Sequence, residues 1–155
     1  SQGMMLIITL ILAAVIATLS LSLINTALLQ GKFEQGTVNA ILSKQASLSF
    51  LHQLIKEGET DRSSNNWFVQ AMTQALYLCL TDHGSLGKNC NAVYDQPNNI
   101  SVKGHMIFSG NHADQLIFDL SVQVNRAQTQ QLLRQVNYQL FFIQDTNEQI
   151  SIRYK

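Results

Sequence analysis

The sequence predicts an α+β protein: a long N-terminal helix, membrane-spanning in its first half, packed on a four-stranded antiparallel sheet. Three observations point there. No Asp, Glu, Lys, Arg or His occurs before Lys32. A helical apolar rhythm then runs on to Lys56, with no Pro between Met4 and Glu57. Beyond Pro97 the apolar residues fall instead at every second position, the period of a strand with one buried face.

Composition narrows the function classes. The chain has 155 residues, enough for a single domain beside an apolar segment. Ten Lys+Arg balance ten Asp+Glu, which argues against a nucleic-acid binder built on a basic patch. Apolar residues make up 46%, ample for a core and against disorder. Charged residues make up only 13%, and they are confined to the part after the apolar run.

From Met4 to Leu29 the chain reads MMLIITLILAAVIATLSLSLINTALL, whose only polar side chains are Thr, Ser and Asn25. About 20 such residues suffice to cross a bilayer. Three readings fit an N-terminal run of this kind. One is a cleaved secretory signal, although its apolar core is normally about 7–15 residues. Another is a plain signal anchor. The third depends on how the run begins: the polar stub Ser1-Gln2-Gly3 ends in Gly and meets Met4-Met5-Leu6-Ile7-Ile8 directly.

The string QGMMLIITLILAAVIATLSLSLI resembles the start of type IV pilin-like subunits, most of all minor pilins of the PilX kind and the tip-type pseudopilin of type II secretion. The resemblance covers roughly the first fifth of the chain by sequence and the remainder only by architecture. It implies that residues 1–3 end a prepilin leader, that a prepilin peptidase cuts between Gly3 and Met4, and that the new amine on Met4 is methylated. Residues 4–30 are then the transmembrane and fibre-core helix. Residues 31–155 form a pilin-like head that includes the second half of the long helix. One position departs from the major pilins, which carry Glu at the fifth residue after the cut. Here that place is Ile8. A carboxylate in lipid costs a few kcal/mol, tolerated in a pilin because it meets the N-terminal amine of a neighbouring subunit. Loss of the Glu is typical of the PilX-like and tip groups, and a tip subunit has no neighbour above to pair with.

Past the membrane run, Phe33, Val38, Ile41, Leu42, Leu48, Leu51, Leu54 and Ile55 share one helical face. Gly58 is the expected stop, and Gly31 and Gly36 mark a junction where the helix is free to bend. The polar stretch ETDRSSNN (59–66) reads as a loop, with Asn65 or Asn66 capping a second helix. Phe68, Met72, Ala75, Leu76 and Cys79 give that helix its spacing, and Trp67 is a packing anchor. Four strands follow: Val102–Phe108, Leu116–Val124, Val136–Phe142 and Ile150–Tyr154, each alternating apolar with polar. Turn signals separate them at Ser109-Gly110-Asn111, at Arg126–Gln130 and at Asp145-Thr146-Asn147. The apolar face of this antiparallel meander needs a cover, which the Phe33–Lys56 helix supplies.

Chemistry-bearing residues are few. Cys79 and Cys90 read as a disulfide if the domain is exported, and as buried thiols if it is not; pilin-like domains often staple a loop in this way. His83 lies between them, but a zinc site lacks a fourth ligand. Asp82 and Asp95 do not make the dense loop that calcium requires. His52, His105 and His112 are scattered over a helix, a strand and a turn. No phosphate-binding Gly loop, His-Glu-x-x-His or Gly-x-Ser-x-Gly motif is present. The expectation is a non-enzymatic protein with no cofactor and no metal.

The resemblance implies the rest: assembly and initiation of a type IV pilus or type II secretion pseudopilus, at or near its tip. The implied partners are other minor and major pilin subunits, the prepilin peptidase and the bacterial inner membrane. The head lies in the periplasm before the subunit joins a surface filament. A signal-anchored periplasmic binding or scaffold protein is the alternative.

Overall fold

The computed structural model describes residues 2–61, 63, 65–81, 84–88, 99–146 and 149–155. Helix α1 runs without a break from Gln2 to Thr60. A short α2 (Trp67–Ala71) follows, then β1 (Leu76–Leu80), β2 (Leu86–Gly87), β3 (Ile100–His112), β4 (Gln115–Arg126), β5 (Leu132–Gln144) and β6 (Ile150–Tyr154). The strands form one antiparallel sheet of six, in the order β2-β1-β3-β4-β5-β6. Two compact units divide the chain, residues up to Asn39 and Ala40–Lys155.

The first unit is helix alone. Its apolar side chains are exposed throughout, and the helix is long and apolar enough to cross a membrane. Four of its hydroxyls bond back to the helix itself. Thr9 donates to the Leu6 carbonyl, Thr18 to Val15, Ser20 to Ile16 and Thr26 to Ser22, all at 2.8–2.9 Å. A hydroxyl satisfied by its own helix can enter hydrocarbon without losing a hydrogen bond. Neither Gly31 nor Gly36 interrupts the helix.

In the second unit α1 buries a stripe of Ser43, Ser47, Phe50, Leu51, Leu54 and Gly58, at spacings of four, three, one, three and four. The stripe lies to one side of the face expected from sequence. Phe33, Val38 and Ile41 are not in the core; they are 75%, 53% and 53% exposed. The difference is one of size. Small buried residues leave no apolar signature, yet they line the packed face. Ser43 and Ser47 donate to the carbonyls of Ala40 and Lys44 at 3.0 and 2.9 Å, so their burial leaves no orphan hydroxyl.

Two glycines set the closest contacts. A Cβ added to Gly104 on β3 would lie 2.3 Å from the Phe50 ring. Phe50 therefore rests on bare backbone of the sheet. A Cβ on Gly58 would lie 2.4 Å from the Phe68 ring and 2.9 Å from Ile152. Gly58 does not end α1, as the sequence suggested; it is a seat inside the helix for the α2 aromatic. Around these contacts the core gathers Leu76, Leu78, Val102, Met106, Phe118, Leu120, Val122, Val124 and Leu140. Phe118 meets Phe68 edge-on at 5.1 Å.

The last four strands stand where the alternation placed them, but the sheet has six rather than four. The expected second helix reaches only Ala71, and Leu76–Leu80 is a strand. Positions 68, 72, 75, 76 and 79 fit a helix by spacing. Leu76, Leu78 and Leu80 also fit an alternating strand, and pairing of Leu76 with Met106 and Leu78 with Gly104 decides the matter. β2 is two residues long and is defined only by its pairing with β1. Gly110 lies at a bulge within β3 and is not a turn. The chain reverses instead at Ala113-Asp114, with φ of 48° and 63°, a two-residue type I′ turn between the paired His112 and Gln115. Ala-Asp lacks the Asn-Gly signature of such turns, so the signal was absent. The other two turns fall as expected. Gln130 takes φ of 55° and Arg126 N–H donates to Gln131. Asp145 accepts from Gln149 N–H at 2.7 Å; Asn147 lies outside the described residues.

The sheet curls around the end of α1. Glu57 accepts from the Leu86 N–H of β2 at 3.4 Å, and Glu59 accepts from the Ile152 N–H of β6 at 3.0 Å. These are the two edge strands. In a flat sheet they would lie about 24 Å apart at about 4.8 Å per strand. Residues two apart on one helix reach both only because the sheet bends towards that helix.

The Phe50–Gly104 contact is testable as a pair. Gly104→Ala is expected to destabilise the full chain in detergent by about 1–3 kcal/mol through overpacking. Adding Phe50→Leu should recover part of that loss, giving a coupling of about 0.5–3 kcal/mol in a double-mutant cycle. Strict additivity in thermal or denaturant unfolding would show that the ring does not rest on Gly104.

Candidate functional site

Sequence-predicted site residues fall in two places. Gly3, Met4 and Ile8 lie in the opening turns of α1, and the side chains of Met4 and Ile8 are exposed. Space around Gly3 is open, with nothing within 4 Å of an added Cβ. Cys79 is buried on β1 and held in a disulfide. Its expected partner Cys90 lies outside the described residues, as do His83, Asp82 and Asp95. Among the described residues no three His, Cys, Asp or Glu side chains gather as a metal site would need. His52 and His112 are exposed on α1 and at the end of β3, far from each other in sequence and element.

Local bonds join the described residues of the hairpin that carries Cys79. Thr81 N–H donates to Ser85 at 2.8 Å, Gly84 N–H donates to Thr81 at 2.9 Å, and the Thr81 and Ser85 hydroxyls meet at 2.7 Å. Gly84 takes φ of 75°, a conformation that suits a residue without Cβ.

A polar hub joins this hairpin to the helices. The Glu57 carboxylate accepts from Trp67 Nε1–H at 2.7 Å and from Gln53 Nε2–H at 2.8 Å, besides Leu86 N–H. The Lys88 ammonium lies 5.1 Å from the Trp67 ring centroid, within cation–π range. Asn66 caps α2, accepting from Phe68 N–H at 2.9 Å, as the sequence indicated. Its buried amide also donates to the Gly58 carbonyl at 2.8 Å and to that of Asp61. Asp61 in turn accepts from the Ser63 hydroxyl and N–H, which hold its carboxyl below the usual carboxylate range. This network is structural: it ties the last turn of α1 to α2 and β2.

The open candidate for recognition is the outer face of the sheet, which the polar half of each alternation builds. Tyr77, His105, Ser121 and Asn137 form one cross-strand row through β1, β3, β4 and β5. The Tyr77 ring stacks on His105 at 4.5 Å and 19°. Beside this row lies a groove of about 400 Å³ lined by the apolar Ile107, Leu120 and Tyr138 as well as by His105, Asp119, Ser121, Asn137, Gln139 and Lys155. A second hollow of about 310 Å³ shares His105 and Ser121 and adds Tyr77, Lys103 and Gln123. The sequence placed His105 on a strand but gave no reason to group it with residues up to fifty positions away; only strand register does so.

No protein-family model, curated protein or solved structure matches the chain.

Removing the Glu57 carboxylate tests the hub. Glu57→Ala strands the Trp67 Nε1–H and the Leu86 N–H, and should cost about 1–3 kcal/mol. Glu57→Gln, which keeps one acceptor, should cost less. Trp67 is the only Trp, so its fluorescence reports both unfolding and its local environment. An unchanged emission and midpoint in Glu57→Ala would refute the role given to this carboxylate.

Proposed function

We propose that this chain is a minor pilin or pseudopilin of the PilX or tip type, which acts in initiating and assembling a type IV pilus or type II secretion pseudopilus. The observation that carries the reading is the single helix from Gln2 to Thr60. Its first part is apolar and fully exposed, and its last part is built into the core of a sheet domain. A filament subunit needs this combination. The apolar part rests in lipid until it is transferred to a fibre core, where neighbouring helices replace the lipid. The head stays folded through the transfer because its own segment of α1 is already packed.

In this reading Gly3 and Met4 are the processing site, and the bacterial inner membrane with a periplasmic head is the state before assembly. Other minor and major subunits contact both the helix and the head. Ile8 places no charge in lipid and offers no carboxylate to a subunit above, which suits a position at the tip. The work is assembly and involves no catalysis or cofactor. A signal-anchored periplasmic binding protein is the second reading, and the groove on the outer face favours it.

Two measurements separate these. With its natural leader and a prepilin peptidase present, the mature N-terminus should begin at Met4 and carry a methyl group by mass spectrometry. A terminus at or before Gly3 would remove the processing claim. Deleting the protein with retraction disabled should lower filament number more than filament length. Normal filament number, with the protein absent from purified filaments, would leave the anchored binding protein as the better account.

A further inference from the structure

We infer that the outer face of the sheet is a binding site for neutral carbohydrate, centred on Tyr77, His105, Ser121 and Asn137. The inference is independent of the filament reading, because it rests on the head alone.

The lining selects the ligand class. Asp119 and Lys155 offset one another around the 400 Å³ groove itself, which favours neither an anion nor a cation there. Beside the apolar Ile107 and Tyr138, the groove offers the hydroxyl of Ser121 and the amides of Asn137 and Gln139, and the adjoining hollow adds Gln123 and the cation Lys103. Each hydroxyl and amide offers both donor and acceptor, as a sugar hydroxyl does. The only side-chain bond within this set, among the described residues, joins Gln135 Nε2–H to the Ser121 hydroxyl at 3.3 Å. The amides of Asn137, Gln139 and Gln123 are not consumed by the protein's own structure. They stand on alternate positions of paired strands, so their spacing is set by rigid backbone.

Tyr77 supplies the apolar element. It is 63% exposed, although it projects from a strand in the middle of the sheet's first half. Its ring is held flat by the stack on His105. An exposed ring fixed in orientation beside a row of amides matches the two sides of a sugar: a C–H face for the ring and hydroxyl edges for the amides. His105 adds a second sign of an unfilled role. Its Nε2 is shut off from solvent and has no hydrogen-bond partner among the described residues. A buried polar atom of this kind is uncommon in a finished structure.

The test uses the full chain in phosphatidylcholine nanodiscs, which avoids sugar-headed detergents. Neutral oligosaccharides (chito-, cello- and maltotetraose, lacto-N-tetraose) and their sialylated or sulfated counterparts are titrated by calorimetry and by NMR of the His105 imidazole. At least one neutral oligosaccharide should bind and shift His105. Tyr77→Ala and Asn137→Ala, both at exposed positions, should each weaken binding about tenfold, a loss of about 1.4 kcal/mol. Tyr77→Phe should keep most of it, and Val69→Ser, on α2, should not matter. Absence of neutral-sugar binding at millimolar concentration, binding only of the anionic sugars, or binding indifferent to both alanine variants would overturn the inference.

Discussion

The head depends on one close approach: the Phe50 ring of α1 lying against the bare backbone of Gly104. A side chain at Gly104 would hold the helix off the sheet, and every other helix–sheet contact would lengthen with it. With glycine there, Phe50, Leu51 and Leu54 become fully buried and the core closes around them. Burying each such side chain contributes about 1.5–3 kcal/mol. The same device recurs in the last turn of the helix, where Gly58 receives Phe68. In both places a small residue on one element meets an aromatic on another. The two contacts fix the height of the helix over the sheet and its rotation about its own axis.

Once the helix is seated, its last turn governs the edges of the sheet. An open strand edge carries unpaired N–H groups that invite another chain. Glu57 accepts from β2 at one edge and Glu59 from β6 at the other. Curling brings the two edges to one place, and two carboxylates then occupy a donor on each. Trp67 and Asn66 complete the junction by tying α2 to the same turn. The packing of the helix and the guarding of the edges are therefore one arrangement, built from residues 50–68.

Work is divided along the chain in physical terms. The first part of α1 has no use for a folded core: its apolar surface is exposed and the hydroxyls of Thr9, Thr18, Ser20 and Thr26 are satisfied by their own helix. Such a surface is compatible with lipid or with packing among other helices. The second part supplies a core to a small sheet that lacks enough apolar surface on its own. The outer face of that sheet, free of the helix, is left polar and available. A filament subunit with a recognition surface on its head would make use of all three.

The apolar run, the unbroken helix and the last four strands were legible in the sequence, because each repeats a pattern over many residues. Twenty-odd apolar positions, helical spacing and strict alternation are local properties of the chain. What the sequence did not determine rests on contacts between distant residues. Leu76–Leu80 satisfies helical and strand spacing equally until Leu78 finds Gly104 across the sheet. β2 exists only as a partner of β1. The true packing stripe contains Ser43, Ser47 and Gly58, which carry no hydrophobic signal and are selected for being small. The Ala113-Asp114 turn is imposed by the register of β3 on β4 against the preference of Ala for negative φ. The row of Tyr77, His105, Ser121 and Asn137 is likewise created by strand register, since no spacing along the chain marks four residues as neighbours across a sheet.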